Sequence, residues 1–348
     1  MIVKEFLELR RDRRTMAMII VLPLVLLVVF GYAASFNVDS ISTRVAGPQA
    51  ERAAGQLRAP FEVTGVDPAV DEAAARDLLR DGEADVVLVA GPDSSTAFID
   101  GSQLFTAKAA VAALAEGGDQ VRPHVLYNPD LETSWVMVPA LIGMILTFIG
   151  TIITSIGLVR ERQAGTLEQL AVMPFRPSDV IAGKIAPYFA LAAVDMTIVA
   201  VVGCLLFGVP FNGSVVTFAL GGALFLFTVL GIGVLISTVS QNQGQATQLA
   251  LMTMLPQLLL SGMIFPLESM AAGVRWIGYL LPLTYFIQIA NGTMLRGAPI
   301  GTLWIPLAVL AGMAGLVFTA AVLRFRRDLA PRQRPADEDR AEQLASAR

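Results

Sequence analysis

The sequence predicts an all-α polytopic membrane protein with six transmembrane helices and an extracytoplasmic α+β domain inserted between helices 1 and 2. Three observations lead there. Residues 133–159 and 297–323 carry no charged side chain, and between Ile185 and Leu267 the only charge is Asp195. Uncharged apolar runs of about 20 residues are long enough to cross the hydrocarbon core of a bilayer. The chain is 55% hydrophobic and 16% charged, where a soluble protein carries about a quarter charged residues. Residues 36–131 break the apolar pattern, with 7 basic and 15 acidic side chains.

The elements follow in order. In MIVKEFLEL, at the start of residues 1–15, Ile2, Val3, Phe6, Leu7 and Leu9 share one helical arc, and Lys4, Glu5 and Glu8 the other. That is the pattern of an amphipathic helix lying in the membrane interface. Span 1 is read at 16–35. Its basic start and Ala33–Ala34–Ser35 suggest a cleavable leader. However, Met16–Phe30 is apolar throughout and longer than a usual leader core, and cleavage would leave five spans. Within 36–131, the strand-like runs at 61–66, 85–91, 96–101 and 124–128 alternate with helical stretches at 48–59, 71–82 and 104–118. Such a mixture over about 95 residues suits a compact domain. Further spans are read at 134–158, 186–208, 215–239, 246–265 and 300–323. Between them lie a cytoplasmic segment at 160–184 and a broken apolar outer stretch at 266–298, and a charged tail at 328–348 reads as disordered.

Lys and Arg set the orientation. With both termini inside, the cytoplasmic segments hold 16 basic residues and the outer ones 9. The expected location is therefore the cell membrane, multi-pass, with both termini cytoplasmic, 36–131 outside and lipid as neighbour. The single cysteine, Cys204, excludes an intrachain disulfide, and the single histidine, His124, leaves no His/Cys cluster for a metal. His124 reads as a structural or surface histidine. A net charge of −4 gives no sign of a nucleic-acid partner.

Three places carry chemistry. In the cytoplasmic segment, Thr166 and Gln169 fit a capping box, Glu168 falls in the first turn, and Pro174 ends the helix. Leu167, Leu170 and Ala171 give this short helix an apolar face, and a helix of that length needs a surface to lean on. Within span 3, Asp195 sits near mid-membrane, where an acid costs roughly 2.5–3.5 kcal/mol. It reads equally as a pathway residue and as an acid hydrogen-bonded for packing. In span 4, Gly221, Gly222, Gly231 and Gly233 permit close helix packing, and the polar run from Gln241 to Gln248 reads as a tight turn. No G-x-x-x-x-G-K-[ST] phosphate loop occurs: Gly183–Lys184 lacks the upstream glycine and is followed by Ile185.

The cytoplasmic stretch resembles the signature of the ABC-2 (type-2) exporter permeases. The matching residues are Arg160, Glu161, Gly165, Thr166, Leu167, Glu168, Gln169, Leu170, Pro174, Gly183, Lys184, Pro187 and Tyr188. The resemblance continues in FGVPFNGS (207–214), SGMIFPLESM (261–270) and LLPLTYFIQIANGTMLRGA (280–298), and covers essentially the whole chain. It departs at Ala271, Asn291 and Asn212, where the family often has proline, arginine and a basic residue.

The resemblance implies a permease subunit and not an enzyme, with ATP and Mg bound by a separate ABC ATPase subunit and none held in this chain. It implies coupling to that partner through Gly165, Thr166, Leu167, Glu168, Gln169, Leu170, Ala171, Pro174 and Lys184. A second permease copy or a paralogue would complete the pathway. It also implies that Pro266, Glu268, Pro282 and Tyr285 belong to short re-entrant helices at an outer gate. Family members export drugs, antibiotics, lipids or peptides, and the apolar lining suggests an amphipathic or lipophilic cargo. The alternative is a proton-coupled secondary transporter using Asp195, which the lack of an inverted repeat disfavours. A non-transporting receptor would need fewer spans.

Overall fold

The computed structural model describes residues 38, 40–92, 94–116, 121–164 and 177–329. The interfacial helix at 1–15, span 1, most of the coupling stretch and residues 330–348 lie outside the described residues.

The first unit is a five-stranded sheet: β1 (Ile41–Ala46), β2 (Phe61–Asp67), β3 (Val86–Ala90), β4 (Ser95–Asp100) and β5 (Val121–Leu126), in the order β2-β1-β3-β4-β5. β1 runs parallel to β2 and β3, β3 antiparallel to β4, and β4 parallel to β5. Three helices connect the parallel strands: α1 (Ala50–Ala54), α2 (Glu72–Asp81) and α3 (Leu104–Glu116). On one face Val86, Leu88 and Ile99 meet Ala50 of α1 and Ala107, Ala110 and Leu114 of α3. On the other, Val87 and Phe98 meet Ala75 and Leu79 of α2. The alternation of β3 supplies both cores, as the two-residue period of a strand requires. With helices on both faces, the unit is built of strand–helix–strand crossovers and not of segregated α and β parts, which refines the α+β expectation.

Sequence reading missed β1, the strand between β2 and β3. Its buried Ile41, Thr43 and Val45 alternate with half-buried Ser42 and Arg44, so the signal was there, diluted by polar side chains. The helix expected at 48–59 is only five residues long. The strand expected at 124–128 lies at Val121–Leu126. Asp71 caps α2 by accepting from the Ala74 N–H at 2.9 Å, and Gly82, at φ +75°, ends it in the left-handed conformation.

The rest of the described chain is mainly helical: α4 (Thr133–Phe148), a π-helical turn at Ile149–Ile153, α5 (Thr154–Gln163), α6 (Pro177–Phe207), α7 (Val215–Val239), α8 (Gln243–Leu260), α9 (Ala272–Gly278), α10 (Pro282–Asn291) with a second π turn at Gly292–Arg296, and α11 (Trp304–Leu329). Among the described residues, four stretches are long and apolar enough to cross a membrane: Thr133–Gln163, Ile185–Phe207, Val215–Val239 and Trp304–Arg324. The span expected at 246–265 is instead the 18-residue α8, Gln243–Leu260. Asn242 caps it and it stops before Ser261 and Gly262, the latter at φ +88°. The described residues make a mostly helical, polytopic membrane protein that also carries a sheet.

α7 is the hub of the bundle. Its glycines let neighbours close in: a Cβ on Gly221 would meet Ile289 of α10, one on Gly222 Met196 of α6, one on Gly231 Val317 of α11, and one on Gly233 the carbonyls of Gly150 and Thr151. Phe225 stacks on Phe286 with ring centroids 4.7 Å apart. By contrast, α6 turns Leu191, Val194, Ile198, Val202, Leu205 and Leu206 outward, a surface suited to hydrocarbon.

Candidate functional site

At the far end of the bundle, away from the sheet, α5 stops at Gln163 and α6 starts at Pro177. Gly165, Thr166, Leu167, Glu168, Gln169, Leu170, Ala171 and Pro174 lie between them, outside the described residues. Lys184 is in α6, and the flanks of the segment are held firmly. The Arg162 guanidinium donates to the Ser240 carbonyl at the end of α7. Gln243 donates to the Gln163 side chain at 3.4 Å. Tyr188 packs where a Cβ on Gly157 would lie, tying α6 to α5. The glutamine-rich run is a tight turn, in which the Gln245 side chain accepts from the Gln241 N–H at 3.0 Å.

Asp195 is half-buried on α6, between buried Ala192 and Met196, and its Oδ2 has no hydrogen-bond partner among the described residues. It does not line the cavity described next.

That cavity, about 100 Å³, lies where the sheet unit meets the helices. It brings together Pro266 and Glu268, the N-terminal turn of α3, Ser261, Asn291 and Arg296. Pro282 and Tyr285 do not reach it. Pro282 is buried at the first position of α10, where its missing N–H costs nothing. Tyr285 donates its hydroxyl to the Tyr279 carbonyl at 2.7 Å.

Sequence reading missed Asp100 and Arg296, which pin the two units together. They pair at 3.6 Å with side chains 2% and 11% exposed. The π turn Gly292–Arg296 sets Arg296 in place. Asn212 braces that turn by donating its backbone N–H to the Met294 carbonyl at 3.0 Å and its side chain to Leu295 at 2.7 Å. The guanidinium lies over Gly82, where a Cβ would stand 2.6 Å from Nη1. It therefore meets the negative end of the α2 dipole as well as Asp100. Burial raises the Asp100 carboxyl above its usual range, Arg296 opposing. A buried Asn128 braces the same junction, donating to the Glu132 carbonyl at 3.0 Å while its own oxygen accepts the Glu132 N–H at 2.8 Å. The sequence signal for this pair is faint: Arg296 is one of two basic residues in a long apolar stretch, but nothing local names its partner.

Beside the pair, Asp85 accepts the Ser42 N–H at 3.2 Å. Its carboxyl is pushed up to about 6, by burial first and then by the charges of Glu268 and Asp100, with the Ser42 N–H and Arg296 opposing. Between about pH 4 and 6 folded Asp85 keeps a proton that the unfolded chain has released. Stability therefore falls as pH rises through that window and levels off above it. Asp85→Asn is expected to remove this slope and to add about 1–3 kcal/mol at pH 8. Thermal unfolding of the detergent-solubilised protein at pH 4.5 and 8 reads it, and an unchanged slope assigns the effect elsewhere.

A family model described as ABC-2 family transporter protein matches residues 13–323. The chain is 30% identical over 358 residues to the Probable multidrug ABC transporter permease YbhS of Escherichia coli K12, with 92% of each chain covered. It is 34% identical over 201 residues to the Probable multidrug ABC transporter permease YbhR of the same organism, covering 58% of this chain and 55% of that one. It is also 28% identical over 211 residues to ABC transporter G family member 20 of Dictyostelium discoideum, covering 60% of this chain and 29% of that protein.

Proposed function

Because the chain belongs to the ABC-2 family of transporter proteins, we propose that this ABC transporter permease subunit moves an amphipathic or lipophilic compound outward, powered by separate ATPase subunits. The cargo class is a drug, antibiotic or lipid, and two relatives named as multidrug permeases support the first of these. In this reading the chain crosses the membrane six times with both termini cytoplasmic, and the sheet unit lies outside. A second copy or a paralogue completes the pathway, and residues 266–298 form its outer gate.

The stretch from Gly165 to Pro174 carries the reading. Its apolar face (Leu167, Leu170, Ala171) fills a cleft of the ATPase, Glu168 meets the rim, and closure of the ATPases pushes on α5 and α6. ATP and Mg belong to the partner. In this chain Gly183 and Lys184 lie inside α6, where backbone N–H groups are committed to the helix and cannot cradle a phosphate. Force reaching α5 passes directly to α7 through Arg162 and Ser240.

Leu167→Asp is expected to weaken the ATPase complex by about tenfold or more, since desolvating a carboxylate costs several kcal/mol. Co-purification with ATPase subunits and transport into inverted vesicles read it. ATP-driven transport that persists unchanged in Leu167→Asp sinks the coupling role. The unpartnered Oδ2 of Asp195 favours one rival, proton-coupled transport. That rival is established if Asp195→Asn abolishes transport while depletion of ATP leaves the parent protein active.

A further inference from the structure

We propose that the cavity between the sheet unit and the helices is a binding site for a small zwitterionic group, its anionic end held by Arg296 and the N-terminal turn of α3 and its ammonium by Glu268. The polar atoms lining the cavity divide by depth. Asn291 and Ser261 are 7% and 2% exposed, and both line the cavity. Asn291 Oδ1, Ser261 Oγ and Arg296 Nε have no hydrogen-bond partner among the described residues. A buried polar atom left unpaired costs about 1–3 kcal/mol, so three in one cavity mark a place where a polar guest is stabilising. The Arg296 Nε and the Ser261 hydroxyl are donors, the Asn291 Oδ1 is an acceptor that a guest N–H or O–H would meet, and the first turn of the 13-residue α3 adds the positive end of its dipole. This inner part suits a carboxylate or phosphate.

The rim has the opposite character. Glu268 is exposed, and its carboxylate makes no ion pair among the described residues. Glu268 lines the cavity, and its backbone carbonyl accepts from the Arg275 guanidinium. Behind Arg296, Asp100 already neutralises the guanidinium and Asp85 adds further negative charge. A bare anion entering the cavity meets net negative surroundings, and a bare cation leaves the inner donors unpaired. A group carrying both charges a few ångströms apart satisfies both ends. Free zwitterions and zwitterionic lipid headgroups share this chemistry.

The inference goes beyond the transport reading, and its test uses the permease alone, so failure of ATPase coupling and failure of this site are distinguishable. Purified protein in a maltoside detergent is titrated by calorimetry with glycerophosphoethanolamine, β-alanine, glycerol phosphate and ethanolammonium. A zwitterion is expected to bind more tightly than either singly charged probe. Preference for glycerophosphoethanolamine identifies a lipid headgroup as the source, and preference for β-alanine a free zwitterion. Glu268→Gln is expected to weaken the zwitterion by up to about fivefold. Glu268→Lys, at an exposed position that tolerates it, is expected to turn the preference toward glycerol phosphate. Equal binding of a singly charged probe, binding unaffected by both Glu268 variants, or no binding at all overturns the proposal.

Discussion

Asp100→Asn is expected to destabilise the protein by about 3–5 kcal/mol at pH 8, the usual cost of orphaning one member of a buried ion pair, and by less as pH falls and the buried carboxyl takes up a proton. The variant leaves the Arg296 guanidinium 11% exposed without its counter-charge, and a guanidinium cannot discharge itself by losing a proton. Its Nε has no hydrogen-bond partner among the described residues. Arg296→Met behaves differently. It leaves Asp100, whose pKa burial already raises, and the carboxyl can take up a proton and become neutral. In that variant folded Asp100 keeps a proton that the unfolded chain releases, so its cost grows as pH rises. A double replacement by apolar residues should recover part of the loss of either single variant. Unfolding of the solubilised protein at pH 5 and 8 tests this. A double variant no more stable at pH 8 than either single variant would show that the pair does not pin the sheet unit to the helices.

Gly233→Val is expected to cost about 3 kcal/mol or more, at or above the upper end of overpacking penalties. A Cβ at Gly233 would stand 2.9 Å from the Gly150 carbonyl oxygen and 3.0 Å from that of Thr151. Both are backbone atoms of the π turn, so no rotamer change relieves the clash and α7 must move away from α4 and α5. Gly312→Ala on α11 is the control, because a Cβ there meets nothing within 4 Å. It should be neutral or slightly stabilising through helix propensity, by up to about 1 kcal/mol. Heat inactivation of the two variants side by side distinguishes local packing from a general intolerance of larger residues in these helices. A Gly233→Val protein as stable as the Gly312→Ala one would mean that α7 and the π turn are less closely packed.

Much of the architecture was legible because the signals are local. The charge-free runs around Val215–Val239 and Trp304–Arg324 report spans wherever they occur in a chain. Asp71 and Gly82 announce the two ends of α2 in the sequence itself. The glycines of α7 could be read as packing positions, though not which neighbour each admits. The end of α8 was misplaced because apolar composition continues through Met263–Phe265, whereas the chain conformation changes at Ser261 and Gly262. Hydropathy senses environment and not backbone geometry.

The sequence by itself determined the family, the membrane-crossing character and the motif from Gly165 to Pro174, since each depends on residues close together in the chain. Only the tertiary structure decided that Asp100 meets Arg296, that the first turn of α3 closes a cavity with Ser261 and Asn291, and that Arg162 caps α7. These partners are separated by many tens of residues, and a side chain's charge or polarity does not say which distant group will share its desolvation. Folding makes that choice, because a buried polar atom must find its partner among whatever the packed helices and sheet bring within reach.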